Sequence, residues 1–325
     1  MRALLLLAFL TGMFAAAAAR AQPKPDETLS AVVGVSVKIQ QGARSAATLG
    51  RERQGSGALI QADYVLTIGY LVIEAEAIEV RSGDGKTMRA TLAAYDHGSG
   101  FGLLKLAAPL GGTPLPLGDS GALAEREPAM VLNRQGRDGA TLVYVVSRRQ
   151  FTGSWEYLLD SAIFTYPAVP EWSGAPLIGA KGELLGIGSL LVPDAMGAGR
   201  QSPGNMFVPI DLLKPILAEL IANGRRSAPP RPWLGINADE LRGRLFVTRV
   251  SEQGPAERAG LKENDLVLAV GDEEVATLAD FYRRVWARGA AGVEVPLKVL
   301  RGIQVRDVSI RSIDRVQYFK PSKAH

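Results

Sequence analysis

Ser173 is the residue whose setting most suggests chemistry, because it lies in the segment YPAVPEWSGAPLIG, just ahead of a short apolar run. A serine hydroxyl on such a loop can attack a carbonyl carbon if a positioned base takes its proton, and histidine is the usual base. The sequence has two histidines, His97 and His325, and the second is the last residue. Ser173 is therefore a candidate nucleophile whose base has to be found.

Composition argues against several other kinds of site. The sequence has no cysteine, so neither disulfides nor thiolate metal sites contribute. Its 37 basic and 33 acidic residues form no long basic run, which argues against a nucleic-acid partner. The segment GDGKT lacks the glycine of a phosphate-binding loop, since Val80 stands five residues before Gly85, and it predicts a hairpin turn. We expect no metal and no cofactor.

The first 21 residues have the layout of a cleavable secretory signal. Arg2 is followed by an apolar run over residues 3–19, and Ala-Arg-Ala precedes Gln22. We therefore expect a periplasmic or secreted mature protein that starts near Gln22. An uncleaved membrane anchor is the alternative, since the run is close to the short limit for spanning a bilayer.

Alternating apolar and polar residues dominate the chain from Ala31 onward, as in VVGVSVKI, with turn residues between the runs. That period of two predicts many short β-strands in a barrel or sandwich. The first clear helix is predicted over residues 211–222, with Asp211 as its N-cap and Gly224 just past its end.

A second compact unit is predicted to follow a linker. Residues 224–232, GRRSAPPRP, contain three prolines and three arginines and have little to bury. Residues 233–314 contain strands at LFVTRV, DLVLAV and VPLKVL, and a helix LADFYRRVWAR that ends at Gly289.

Taken together, these segments resemble HtrA-type (DegP-like) trypsin-fold serine proteases with one C-terminal PDZ domain, over roughly residues 30–313. The landmarks occur in the family's order: GSGALIQADYVLTIGYLV, AAYDHGSGFGLLKL, LPLGDS, SGAPLIGAKGELLGIGS, FVPIDLLKPIL and WLGI…VTRVSEQGPAERAGLKENDLVLAVGDEEV. The resemblance implies a mainly β fold, a trypsin-like double six-stranded β-barrel followed by a small α+β PDZ domain. The expected divisions are a signal peptide (1–21), a protease-like domain (22–223), a linker (224–232), a PDZ domain (233–314) and a C-terminal tail (315–325).

Two of the three catalytic positions that the resemblance implies carry other residue types. Tyr70 in VLTIGYLV stands where the family has histidine, and Gly100 in DHGSGFGLLKL stands where it has aspartate. Ser173 keeps the nucleophile position, but Glu171 replaces the glycine whose N–H would face the oxyanion. A tyrosine with an ordinary pKa of about 10 is a poor base at neutral pH. Ser173 is therefore predicted to be a structural remnant.

Two other bases stay open. His97 could serve if it swung in from the loop that supplies the family's aspartate. A Ser-Lys pair is also open, although no lysine stands at position 70 or 100. Either base would give an active endopeptidase with a rearranged site.

The requirements of peptide binding are better met than those of catalysis. A PDZ domain adds a peptide to a sheet edge as a strand, and a loop of backbone amides takes its terminal carboxylate. The resemblance assigns that loop to Trp233, Leu234, Gly235 and Ile236. On the following helix, Leu278, Tyr282 and Val285 share one apolar face. We expect Leu278 in the core, and Tyr282 and Val285 are candidates for the groove, with a place in the core equally open.

Three functions are compatible with these residues. The leading one is an exported pseudoprotease that binds unfolded or C-terminal peptide segments as a scaffold, chaperone or regulator. The alternative is an active serine endopeptidase of periplasmic protein quality control, and the third is an adaptor that assembles with an active relative. Family members often trimerise through N-terminal aromatic contacts, but residues 22–63 contain no Phe, Tyr or Trp. A homo-oligomer and a mixed oligomer both stay open.

Overall fold

The structure is a computed structural model that describes residues 25–197 and 199–323, and strands dominate it. The predicted signal segment and His325 lie outside the described residues. Within those two ranges, none of the helices has the length and apolar character needed to cross a membrane.

The first β-barrel contains six antiparallel strands: β1 (Val32–Ile39), β2 (Glu52–Gln61), β3 (Tyr64–Ile68), β4 (Ala75–Arg81), β5 (Thr87–Tyr95) and β6 (Phe101–Leu106). They close in the order β1-β2-β3-β6-β5-β4. Val35 and Val80 pair across β1 and β4 and are buried, whereas the next pair, Ser36 and Glu79, is exposed. This alternation builds the core of the barrel from the pattern seen in the sequence.

The second β-barrel also contains six strands: β7 (Pro128–Asn133), β8 (Gly136–Gly153), β9 (Tyr157–Tyr166), β10 (Pro176–Ile178), β11 (Leu184–Val192) and β12 (Gly204–Pro209). They close in the order β10-β11-β12-β9-β8-β7. Part of its interior is a cluster of buried side chains that includes Val143, Ile163 and Phe207. The double-barrel fold predicted from the sequence is confirmed.

The C-terminal unit is a six-stranded antiparallel sheet: β13 (Ile236–Leu241), β14 (Arg244–Val250), β15 (Leu266–Val270), β16 (Glu273–Glu274), β17 (Glu294–Arg301) and β18 (Gln304–Arg311). Its helices are α5 (Pro255–Arg258) and α6 (Leu278–Trp286). Thr277 caps α6 by accepting a hydrogen bond from the Asp280 N–H at 3.1 Å. The apolar face of α6 is buried against the sheet, as its spacing predicts.

The remaining helices are short: α1 (Pro25–Ser30), α2 (Ala46–Leu49), α3 (Gly69–Val72), α4 (Leu217–Asn223), and 3-10 turns at Ile210–Leu212 and Arg315–Tyr318. The helix predicted over residues 211–222 is wrong in its first half. Pro215 has no N–H and restricts the residue before it, so the regular helix starts at Leu217. Asp211 is therefore not an N-cap, and its carboxylate accepts from the Ser120 hydroxyl at 2.8 Å. Gly224 does end the helix, in a left-handed conformation.

The segments before and after the C-terminal sheet are tied to the first barrel. Arg226 in the proline-rich segment makes a bidentate pair with Asp96, with nitrogen to oxygen distances of 2.7 and 2.5 Å. After the sheet, the Lys320 N–H donates to the Glu74 carboxylate at 2.9 Å. The C-terminal unit is thus held against the barrels at both of its ends.

The turn sequence AGLKEND positions a buried ion pair in the C-terminal unit. Gly260 and Asn264 adopt positive φ, and Asp265 is fully buried. Burial opposes ionisation of Asp265, but hydrogen bonds from Arg301 and from the Lys262 N–H outweigh it and lower its pKa. The pair ties the turn to strand β17.

Replacing this carboxylate should destabilise the C-terminal unit. We expect Asp265→Asn to lower its free energy of unfolding by about 2–3 kcal/mol, because the Arg301 guanidinium loses its buried partner. Because the pKa of Asp265 is lowered in the folded state, its ionised form stabilises the fold fully at pH values above the unfolded carboxyl pKa of about 3.9. This stabilisation is lost as the pH falls through the pKa of the folded state. Urea unfolding followed by tryptophan fluorescence at several pH values measures this. Exposed Asp272→Asn is the control, and equal midpoints for the two variants at pH 7 would contradict the expectation.

Candidate functional site

Ser173 lies on the loop between β9 and β10, where the two barrels meet. Its carbonyl accepts from the Ser56 N–H on β2 at 2.8 Å. The next residue, Gly174, has a φ of +72°, and a Cβ there would lie 2.1 Å from the Ser56 carbonyl oxygen. The loop therefore needs glycine at 174 and is held by strands of both barrels, since the Gly174 N–H donates to Gly188 on β11.

Tyr70 is placed on the short helix α3, which follows β3. Arg53 holds this helix by donating to the carbonyl oxygens of Tyr70 at 2.7 Å and Ile73 at 3.3 Å. Burial lowers the pKa of Arg53 to about 10, so the guanidinium stays charged at neutral pH. A fixed cation at the end of α3 thus fixes the position of the tyrosine.

The Tyr70 and Ser173 hydroxyls contact each other directly. Their oxygens lie 2.8 Å apart, and the Tyr70 oxygen lies 2.9 Å from the Ser189 carbonyl oxygen. A carbonyl only accepts, so both bonds form together when Tyr70 donates to Ser189 and the Ser173 hydroxyl donates to the Tyr70 oxygen. The serine proton then points at a neutral phenol oxygen.

A phenol in this place is a weak base. Burial raises the pKa of Tyr70 to about 12, although hydrogen bonding with Ser173 partly opposes it. The phenolate is therefore rarer at neutral pH than for an exposed tyrosine, and neutral phenol oxygen is a weak proton acceptor. The geometry satisfies the Ser173 hydroxyl without activating it.

The position that resembles the family's aspartate disfavours a side chain. Gly100 has a φ of +89°, and a Cβ there would lie 3.0 Å from the Tyr157 hydroxyl oxygen. That hydroxyl donates to the neighbouring Ser99 carbonyl at 2.6 Å. A carboxylate at position 100 would be disfavoured both by its backbone and by Tyr157.

Glu171 is paired rather than aimed at the site. Its carboxylate lies 3.1 Å from Arg134 Nε, and both side chains are about one third exposed. The negative charge expected next to Ser173 is therefore compensated by Arg134.

His97, the other candidate base, packs against aromatic residues and not against Ser173. Its ring lies 4.0 Å from that of Tyr95 and 6.1 Å from that of Phe319, and it lines a cavity of about 980 Å³ together with Arg226 and Arg315. Burial, and then the charge of Arg315, lower the pKa of His97 well below its ordinary value. In the described part of the chain, no histidine or lysine nitrogen bonds the Ser173 hydroxyl, and no cluster of acidic or histidine side chains could hold a metal.

The loop assigned to carboxylate binding is paired through its backbone and directs its amides to one point. Trp233 is paired through its backbone with Ile313, and Gly235 has a φ of +80°. This conformation directs three consecutive N–H groups to one point, which suits an anion. The N–H groups belong to Leu234, Gly235 and Ile236.

A carboxylate of the same chain occupies that point. Glu156 in the turn between β8 and β9 accepts from Leu234 at 3.0 Å, from Gly235 at 2.7 Å and from Ile236 at 3.0 Å. Burial raises the pKa of Glu156. The hydrogen bonds from the three N–H groups lower it, but by less, so the pKa stays above its ordinary value. Glu156 also has a φ of +58°, which costs about 1–2 kcal/mol for a residue with a Cβ.

The two residues predicted to line a peptide groove lie on the buried face of α6. The Tyr282 hydroxyl donates to the Gly153 carbonyl at 2.8 Å and accepts from the Glu156 N–H at 3.0 Å. Val285 is almost fully buried in the core of the C-terminal unit. Tyr282 thus faces the β8–β9 turn, and the roles of both residues in peptide binding stay predictions.

Sequence reasoning missed Glu156 altogether. Its partners lie 78 to 80 positions further along the chain, and no local pattern links a turn in one barrel to a loop of another unit. The nearest available signal was a charged residue, instead of glycine or asparagine, in a tight hairpin turn.

Two domain families match the sequence. Residues 55–187 match the trypsin-like peptidase domain, and residues 232–311 match the PDZ domain.

Curated relatives match over most of the chain. A probable periplasmic serine protease do/HhoA-like of Haemophilus influenzae is 28% identical over 275 residues, 79% of this chain and 57% of that protein. A probable periplasmic serine endoprotease DegP-like of Pseudomonas putida is 30% identical over 249 residues, 71% and 50% respectively. The chain thus spans somewhat over half the length of the first of these relatives and half of the second.

Solved structures share the fold. The HtrA-type protease AlgW with tripeptide superposes with a TM-score of 0.53 at 21% identity, covering 92% of this chain and 98% of that one. A serine endoprotease from Yersinia pestis gives 0.52 at 21% identity, covering 91% and 99%.

The Tyr70 hydroxyl should contribute to stability. We expect Tyr70→Phe to lower the free energy of unfolding by about 1–2 kcal/mol, because it leaves the Ser189 carbonyl and the Ser173 hydroxyl without this partner. Chemical denaturation measures the change. Tyr144→Phe, at an exposed ring, is the control, and equal losses in the two variants would contradict the assigned geometry.

Proposed function

We propose that this chain, which has the domain arrangement of HtrA/DegP-type trypsin-like serine proteases with a C-terminal PDZ domain, is a pseudoprotease that binds peptides without cutting them. It would act as a scaffold, chaperone or regulator that recognises unfolded or C-terminal segments of other proteins. The names of its relatives support a periplasmic location.

The contact between Tyr70 and Ser173 carries this proposal. A serine nucleophile needs a base that takes its proton as the bond to the carbonyl carbon forms. Here the hydroxyl lies against a phenol whose pKa is raised to about 12 by burial. Loss of the general base alone removes several orders of magnitude of rate in serine proteases.

The second lost position supports the same conclusion. Even if an imidazole entered the cleft, the side of the site at Gly100 offers no carboxylate to orient it, and Tyr157 fills the nearby space. His97 would first have to leave its packing against Tyr95 and Phe319. Neither rearrangement has support in the contacts of the loop that carries Ser173.

An active serine endopeptidase is the competing function, because the named relatives are proteases and Ser173 itself is present. Such an enzyme would need a non-standard base. The two functions differ in whether Ser173 reacts, which is directly measurable.

Ser173 should be unreactive. We expect the purified mature protein neither to incorporate a fluorophosphonate probe nor to degrade unfolded casein above the level of Ser173→Ala, because the group that accepts the serine hydrogen bond, the Tyr70 phenol, is too weak a base to take the proton. Trypsin serves as the positive control. Labelling or cleavage that is present in the wild type and disappears in Ser173→Ala would establish the endopeptidase instead.

Peptide binding should depend on the backbone of the carboxylate loop. The probe is a fluorescein-labelled ten-residue peptide ending in Ser-Val-Leu with a free carboxylate, measured by anisotropy on the full mature chain. We expect Gly235→Ala to weaken binding at least about 10-fold, because a Cβ there would lie 3.2 Å from Ser251 Cβ on a φ of +80°.

Gly302→Ala is the matched control for this variant. Gly302 also has a positive φ, of +61°, but open space surrounds its Cβ position. Equal affinities of the two variants, or equal binding of the C-terminally amidated peptide, would contradict carboxylate capture by this loop.

A further inference from the structure

The hairpin turn between β8 and β9 has a sequence that its own geometry does not explain. Gly153 pairs with Tyr157, so the turn consists of Ser154, Trp155 and Glu156. The last residue of such a three-residue turn takes a left-handed conformation, where glycine is favoured. A glutamate at this place needs a compensating contact elsewhere.

That contact reproduces the recognition of a peptide C-terminus. The Glu156 carboxylate receives N–H groups from all three residues of the loop, Leu234, Gly235 and Ile236, at 2.7 to 3.0 Å. A terminal carboxylate would be held by the same donors. The two anions cannot occupy the loop together.

Other contacts of the turn also resemble those of a bound peptide. The Ala238 N–H on β13 donates to the Ser154 carbonyl at 3.0 Å, as it would to a peptide added at the sheet edge. Leu158 of the second barrel is buried and belongs to the same apolar cluster as Leu234 and Ile236 of the C-terminal unit. A backbone bond, a carboxylate and an aliphatic side chain therefore come from one segment, residues 153–158.

The carboxylate loop lies at one end of the expected peptide groove between β13 and α6. The β8–β9 turn also contacts the α6 side of this groove. The Tyr282 hydroxyl on α6 bridges the Gly153 carbonyl and the Glu156 N–H. At the rim, Arg283 contacts Asp160 at 2.7 Å, but both side chains are more than half exposed and add little. The buried contacts, not the rim, hold the turn in the groove.

We propose that residues 153–158 are an internal ligand of the carboxylate loop, which external peptides ending in a free carboxylate and an aliphatic residue must displace. The inference rests on the proposed peptide binding and adds its regulation. In the closed state the protein has low apparent affinity for peptides, because only the fraction with an open groove can bind. Peptide binding in turn releases the turn from the C-terminal unit.

Glu156→Gly tests the internal ligand. Glycine suits the φ of +58°, so this variant keeps the hairpin and removes only the carboxylate. We expect the affinity for the free-carboxylate probe to rise at least about 10-fold. We also expect hydrogen exchange at the amides of Leu234, Gly235 and Ile236 to speed up in the absence of peptide, since they lose their acceptor.

Two further variants complete the design. Glu156→Gln keeps the size of the side chain but loses the charge, and it should give a smaller rise in affinity. Arg126→Gly is the matched control, because Arg126 is exposed, has a φ of +70° and lies in the turn that precedes β7 rather than in the β8–β9 turn. It should leave both affinity and exchange unchanged.

The two readouts separate this inference from the proposed function. Unchanged exchange and unchanged affinity in Glu156→Gly, with the probe still bound through Gly235, would overturn the internal ligand and leave peptide binding intact. Faster exchange at the three amides with no probe binding in any variant would retain the internal ligand and overturn binding of this peptide class.

Discussion

The turn between β8 and β9 is the contact that links the carboxylate loop to both barrels, because its neighbouring residues face different units. Glu156 places its carboxylate in the loop of the C-terminal unit. Tyr157, the next residue, donates its hydroxyl to Ser99 in the first barrel at 2.6 Å and lies beside Gly100. One short segment of the second barrel thus contacts both the loop of the C-terminal unit and the segment around Gly100. The absence of a side chain at Gly100 and the presence of the Tyr157 hydroxyl fit each other sterically.

The pair of hydroxyls at Ser173 is well bonded, yet it places a phenol where the proposed pseudoprotease would lack a base. An imidazole and a phenol can both accept a hydrogen bond from serine, so either one satisfies the polar group. Only the imidazole gains a proton readily near neutral pH. Burial of Tyr70 widens this difference, since it stabilises the neutral phenol. The loop around Ser173 keeps its backbone contacts to both barrels because those contacts do not depend on the base.

Much of the fold could be predicted because it depends on local patterns. The period of two in β1, the hairpin turn at GDGKT and the left-handed end of α4 at Gly224 all match the structure. The helix start at Asp211 failed because the effect of Pro215 on the preceding turn outweighed the capping signal. The last strand, β18, carries mostly exposed residues and has a weak apolar pattern, so it was not predicted. The assignment of Tyr70 and Gly100 to the family's histidine and aspartate positions follows from the resemblance and stays a prediction, whereas the contacts of Glu156 with the loop are long-range and leave no local pattern.

The two ties at the ends of the C-terminal unit explain why a single buried carboxylate can keep the groove filled. Arg226 with Asp96, and Lys320 with Glu74, hold the unit next to the barrels whether or not the turn occupies the loop. The turn therefore meets the loop at a high effective concentration, of the order of millimolar or above for a short connection. Burial disfavours the ionised form of Glu156 and raises its pKa, which weakens its contact with the loop. At this effective concentration the contact can still outcompete dilute external peptides. Under the proposed regulation, affinity for a peptide in the full chain would be set by competition with the tethered turn as well as by the groove.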